Sequence, residues 1–195
     1  LLGYFVVKKF SWIYFLLVPL FMEISSIPGL IMGRGILEPF TVYAGQAGDD
    51  ADSLYINYPS FWSIFVKDHN APFIKTAIFF TVAILLLLMF YIYKNNIFIK
   101  QNMLGIAFIL AYTTVLFLPK MRERYGFMYT IFSIPLALRN KKTIYLSVIL
   151  HIIAFLSYGV VELGSPANLK VIAVINLAVY MAYIYYLVKE WKANA

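Results

Sequence analysis

The stretch TAIFFTVAILLLLMFYIY, Thr76–Tyr93, runs without a single charged residue. A helix crossing a bilayer needs roughly 17–25 mostly apolar residues, since each adds about 1.5 Å toward about 30 Å of hydrocarbon. This stretch meets that requirement alone, and so do Gln101–Pro119, Thr143–Val161 and Val171–Val188. Phe10–Met22 is also charge-free and continues past Glu23 through Ile24–Met32, while Tyr125–Leu138 is charge-free but short. The 195 residues are 63% hydrophobic and only 13% charged, with a mean hydropathy of +0.81. A soluble domain keeps about a quarter of its residues charged. The expected fold is all-α, a polytopic helical membrane protein of about six transmembrane helices with a large external loop after the first. Residues 1–195 are expected to form a single transmembrane domain.

Without cysteine, disulfides and thiolate metal sites are excluded. The chain opens LLGYFVVKKF, without an initiator Met, and bulky aromatics continue through its first apolar run with no small-residue cleavage site. It reads as a fragment of a longer chain, whose N-terminal remainder is one expected partner.

Basic residues in short loops set topology. With a cytoplasmic start, the inner segments hold Lys8, Lys9, Lys94, Lys100, Arg139, Lys141, Lys142, Lys189 and Lys192 against one acid, Glu190. The outer segments hold Arg34, Lys67, Lys75, Lys120, Arg122, Arg124 and Lys170. These are balanced by Glu38, Asp49, Asp50, Asp52, Asp68, Glu123 and Glu162. The net charge of +7 is thus a topology signal. It places a multi-pass protein in the cell membrane among membrane lipids, with both termini cytoplasmic and the main loop external. It is no nucleic-acid footprint, since no soluble segment carries a basic stripe with interleaved aromatics.

The external loop spans about 33–72 and holds the acidic cluster Asp49, Asp50 and Asp52 and then an aromatic-rich piece. Tyr55, Tyr58, Phe61, Trp62 and Phe65 predict a segment lying among the headgroups, where amphipathic rings prefer to sit. A second concentration of polarity is LPKMRERYGFMY, Leu118–Tyr129, wedged between two apolar runs. The following run, Tyr125–Leu138, extends only about 21 Å at about 1.5 Å per residue. Either the bilayer thins there or the Arg122–Tyr125 end lies below the membrane surface, where charge is costly and faces a cavity or a partner. Arginine's fork suits phosphate, and Glu123 could hold one arginine by a bidentate pair. Lys120, Arg122 and Arg124 would then suit a lipid phosphate or diphosphate. The plainer reading of the same residues is a helix end whose cations snorkel to headgroups.

PKMRERY, Pro119–Tyr125, resembles the Pro-Lys-Met-His-Glu-Arg-Tyr motif of bacterial polytopic membrane glycosyltransferases of the GT-C type. The upstream YAGQAGDDADSLYINYPSFWSIF is similar to that family's external Gly-Gln pair and its Asn-Ala-Pro-Asn-aromatic site. Gly45 and Gln46 match the pair, and Asn57, Tyr58, Pro59, Ser60 and Phe61 stand at the second site, two spans before the charged motif. The resemblance covers roughly 33–138. It implies transfer of a sugar from a polyprenyl-phosphate carrier to a cell-envelope glycan or lipid acceptor on the outer face. Lys120, Arg122, Glu123, Arg124 and Tyr125 would bind the donor phosphate, and Gln46, Asn57, Asp49, Asp50 and Asp52 are candidates in the external loop. Arg122 replaces the family's His; guanidinium stays protonated, so Arg122 carries over only as a phosphate contact. The family's catalytic carboxylate lies in an N-terminal external loop, so the base is expected outside this chain. No resident cofactor is implied, and the three aspartates, which have some metal-ligand character, read either as a divalent-cation site or as a solvated acidic turn.

Alternative readings are a non-catalytic membrane subunit or scaffold that binds lipid phosphate, and a small transporter component with Glu23 and His151 lining a path. Glu23 is a functional candidate by its place in a span, or a cap on a helix broken at Ser25, Ser26 and Pro28. His151 would relay protons or hydrogen-bond a neighbouring helix. Pro19 and Pro135 should kink their helices. His69, in the loop, points to nothing by itself.

Overall fold

A computed structural model describes residues 12–41, 54–65 and 73–194, and these residues are mostly helical with no strand among them. The chain divides into two units, Leu1–Ala51 and Asp52–Ala195, parted inside the segment 33–72 that the sequence predicts to be an external loop.

In the first unit a 3-10 turn, Trp12–Leu16, runs into helix α1, Leu17–Ile31. The change of winding falls just before Pro19, which has no N–H to give to the preceding turn. The helix does not break at Ser25, Ser26 and Pro28. Both serine hydroxyls donate to the Met22 carbonyl, and the helix continues to Ile31. Glu23 therefore lies mid-helix and caps nothing; it is half-buried, and its Oε1 is withdrawn from solvent without a hydrogen bond. Gly33, at φ +94°, ends α1 and lets the Arg34 N–H return to the Gly29 carbonyl at 3.0 Å.

The second unit contains α2 (Phe61–Phe65), α3 (Ile74–Lys94), α4 (Met103–Phe117), α5 (Phe127–Arg139), α6 (Ile144–Glu162) and α7 (Leu169–Asn194). Helix α4 is central: it packs on α3, α5 and α7, and the short α2 lies against α4 and α7. Helix α6 closes the ring between α5 and α7. A helix apolar all round belongs inside, and α4 buries most of its surface, from Ile106 and Phe108 to Leu116 and Phe117, leaving only one half-buried face along Ala107, Leu110, Ala111 and Thr114. Its Gly105 admits the last helix closely, since a Cβ there would lie 2.8 Å from Leu187 Cδ2 and 3.4 Å from Trp191 Nε1.

Four helical stretches are long and apolar enough to cross a membrane: Ile13–Ile31, Ile74–Lys94, Lys141–Glu162 and Leu169–Ala193. Helices α4 and α5, with 15 and 13 residues, are about 22 and 20 Å long. The outward faces of the long helices carry exposed Phe79, Leu87, Phe90, Phe155, Met181 and Tyr185. These are the features of a multi-pass membrane protein.

One end of the second unit is basic. There Arg139, at the end of α5, pairs with Glu190 of α7 at 2.7 Å and donates to the Gln101 carbonyl ahead of α4. Glu190 thus neutralises one arginine of that end. The candidate site lies at the opposite end of the same helices.

Candidate functional site

Helix α4 stops because Pro119 cannot continue it. Leu118, the residue before proline, swings to extended backbone (φ −69°, ψ 135°), and the last carbonyls of α4 lose their helical donors. Side chains from two other helices replace one of them. Trp62 Nε1–H on α2 and the Thr81 hydroxyl on α3 both donate to the Phe117 carbonyl, at 2.5 and 2.7 Å. Around this junction Phe61, Trp62, Phe80 and Phe117 form one aromatic cluster, with Phe61 and Phe80 rings stacked at 5.8 Å. The aromatic piece that precedes α3 is therefore folded against the bundle: Tyr55 and Tyr58 are buried, and of the five aromatics only Phe65 is well exposed.

Beyond Pro119 the chain reverses at Lys120, which adopts left-handed φ +62°. That reversal aligns the charged motif with the segment around Leu54–Ile56. Lys120 N–H donates to the Leu54 carbonyl at 3.1 Å, and Ile56 N–H donates to the Met121 carbonyl at 3.3 Å. The two sequence motifs, one before α3 and one after α4, thus run side by side on backbone hydrogen bonds. Asn57 next takes φ +53°, a conformation asparagine tolerates better than most residues.

A buried polar network then fixes this segment. Asn176, in the first third of α7 and wholly buried, donates Nδ2–H to the Pro59 carbonyl at 2.9 Å and to Tyr58 Oη at 3.3 Å. Its Oδ1 accepts from the Tyr112 hydroxyl at 2.6 Å. Tyr58 Oη lies 2.5 Å from Tyr129 Oη, and the Tyr112 and Tyr129 rings stack 4.2 Å apart. Burial pushes the Tyr58 hydroxyl up to about 12, with the hydrogen bonds to Tyr129 and Asn176 pulling partly the other way. Gly126 makes room for this ring, since a Cβ there would lie 3.2 Å from Tyr58 Cε2.

The charged residues line one short turn, Lys120 to Tyr125, that runs into a 3-10 turn, Glu123–Gly126, packed on α6. Glu123 is only 9% exposed, yet its carboxylate makes no ion pair with Arg122 or Arg124, so the expected bidentate clamp is not formed. The reason is geometric: consecutive residues of an extended-to-3-10 turn send their side chains in different directions. Arg124 is exposed, its guanidinium carbon 5.9 Å from the Tyr125 ring centroid and without an acceptor among the described residues. That arrangement leaves a rigid donor fork free to take an anion beside a shielded carboxylate.

Of the external-loop candidates, Asn57 stands beside the turn, whereas Gln46, Asp49, Asp50 and Asp52 lie outside the described residues, as does His69. Among the described residues no group of three or more His, Asp or Glu could hold a metal ion. His151 is exposed on α6, where its Nδ1–H donates to the Ser147 carbonyl of its own helix at 2.8 Å instead of bonding a neighbouring one. Residues that motif reading passes over carry much of the geometry: Asn176, Tyr112, Tyr129, Thr81 and the indole of Trp62. Asn176 did leave a signal, as the one amide in the charge-free run Val171–Val188. No protein-family model, curated protein or solved structure matches this chain.

Proposed function

We propose that this chain is the donor-gripping part of an integral-membrane glycosyltransferase that moves a sugar from a polyprenyl-phosphate carrier to a glycan or lipid acceptor on the outer face. The observation that carries this reading is the pairing of Leu54–Ile56 with Lys120–Met121. Two motifs that resemble one enzyme class, separated by two helices in sequence, form one site in space. In this reading Arg124 takes the phosphate through its free fork, supported by Arg122 and Lys120. Glu123, not engaged by either arginine, accepts a hydrogen bond from a sugar hydroxyl. Transfer replaces the carrier phosphate at the sugar carbon with the acceptor oxygen, the acceptor hydroxyl's proton passes to a general base, and the polyprenyl phosphate leaves with its negative charge held by the arginines.

The topology that suits this reading has six spans, both ends cytoplasmic and the external segment outside. Helices α4 and α5, at about 20 Å each, are shorter than about 30 Å of hydrocarbon. The turn that joins them then lies below the outer surface, within reach of a lipid-borne phosphate. The decisive measurement is sugar transfer from a polyprenyl-phosphate donor by the Arg124→Ala variant, with expression checked in parallel. The expected result is a loss of at least about a hundredfold, the scale of removing a charge-stabilising donor; normal turnover by a well-expressed variant would sink the assignment. A second reading, a scaffold that binds lipid phosphate without transfer, draws on Glu123 being the one carboxylate in the charged turn. It predicts Arg124-dependent donor binding with no transfer by the native chain.

A further inference from the structure

We propose that Asn176, on the last helix, is a positioning residue that clamps the external segment over the charged turn, so that α7 sets the donor site without touching the donor. This rests on the reading of the charged turn as a phosphate site. The clamp has three grips. Asn176 Nδ2–H donates to the Pro59 carbonyl, its second proton reaches Tyr58 Oη, and its Oδ1 is held from behind by the Tyr112 hydroxyl. The amide is thereby oriented from α4 and pulls on two successive residues of the segment. Those residues directly follow the backbone pair that aligns Leu54 and Ile56 with Lys120 and Met121. Tyr58 passes the restraint to α5 through Tyr129, and α5 begins at the turn's own end, with Gly126 pressed against the Tyr58 ring. The turn is thus held from both sides through one wholly buried amide. A fully satisfied buried network holds one arrangement, whereas a half-satisfied one loosens.

A core amide of purely structural value would give the same stability loss wherever it sat, so the test needs a control on the same helix pair. Tyr180, one turn further along α7, makes a buried hydroxyl contact of 2.9 Å with Thr113 of α4, and among the described residues that hydroxyl has no hydrogen bond to Leu54–Phe65. The full chain in detergent micelles would be compared as wild type, Asn176→Leu, Tyr58→Phe, Tyr180→Phe and Arg124→Ala. Two quantities are read: amide hydrogen exchange at Ile56 and Lys120, and affinity for undecaprenyl phosphate. Asn176→Leu and Tyr58→Phe are expected to speed exchange at both amides and weaken affinity about tenfold, as loss of a buried hydrogen bond would. Tyr180→Phe should lower the thermal midpoint with neither effect. If Asn176→Leu does not fold, Tyr58→Phe carries the comparison.

Exchange in the clamp variants no faster than in Tyr180→Phe overturns the proposal. So does faster exchange with unchanged affinity while Arg124→Ala weakens binding, because the segment would then be loose without consequence for the site. If Arg124→Ala itself binds normally, the phosphate reading fails, and the exchange result alone decides whether the clamp exists.

Discussion

Tyr58 illustrates how one residue of this chain acts in two capacities. Its ring fills the space left by Gly126, and its hydroxyl joins α5 to α7 through Tyr129 and Asn176. Because its folded pKa is raised above the ordinary value of 10, its contribution to stability is complete below pH 10 and is lost as pH rises through about 12. In that window the unfolded chain ionises while the folded one stays neutral. The expected effect is a fall on the order of 2–3 kcal/mol between pH 10 and 12, read as a drop in the thermal midpoint in detergent. Tyr58→Phe should flatten that drop; an unchanged slope would mean the hydroxyl is not shielded. Gly126→Ala should force the Tyr58 ring to shift by a few tenths of an ångström and cost roughly 1–3 kcal/mol as overpacking, measurable in the same melts. The motif Pro119–Tyr125 and the partner segment around Asn57 were legible in the sequence. The charge-free run around Asn176 marked a polar residue without saying what it held, because a buried amide takes its meaning from groups on other helices.

Among the elements, the end of α4 is the decisive joint. Pro119 stops that helix, and the orphaned Phe117 carbonyl is taken by Trp62 and by Thr81, whose proton is also shared with the Ala77 carbonyl. Trp62→Phe or Thr81→Val alone leaves the carbonyl one donor, whereas the pair leaves it none. The double variant should therefore lose more than the sum of the single losses, by roughly 0.5–3 kcal/mol of coupling; additive losses would show that water replaces either donor. A second element-level test lies at Gly105, where α4 meets Leu187 and Trp191 of α7. Gly105→Val should cost about 1–3 kcal/mol by overpacking, and an unaltered melting point would show that the last helix yields. That α2 packs inward was not legible, since an aromatic-rich segment has the same composition at a headgroup surface and against a bundle. What decided it was an acceptor at Phe117 that Trp62 and Thr81 reach from two other helices.

For the whole molecule, the six-span arrangement makes a direct prediction, aided by the absence of cysteine from the chain. A membrane-impermeant maleimide applied to intact cells should label Leu163→Cys, at the outer end of α6, and spare Asn95→Cys, at the inner end of α3. Labelling of both or the reverse pattern would remove the proposed orientation. Separating Arg139 from Glu190 by Glu190→Gln should loosen the basic end, about 20 Å of helix away from the site, and leave donor binding unchanged. The sequence by itself determined that the chain is helical, apolar and membrane-borne, and where charge interrupts the apolar runs, because hydropathy and charge are properties of local segments. Only the tertiary structure decided that the segment around Leu54–Pro59 lies against the charged turn, that Glu123 is shielded yet pairs with neither arginine, and that α7 holds the segment through Asn176. Those facts depend on which orphaned backbone and side-chain groups meet after the helices pack, and no local pattern encodes that.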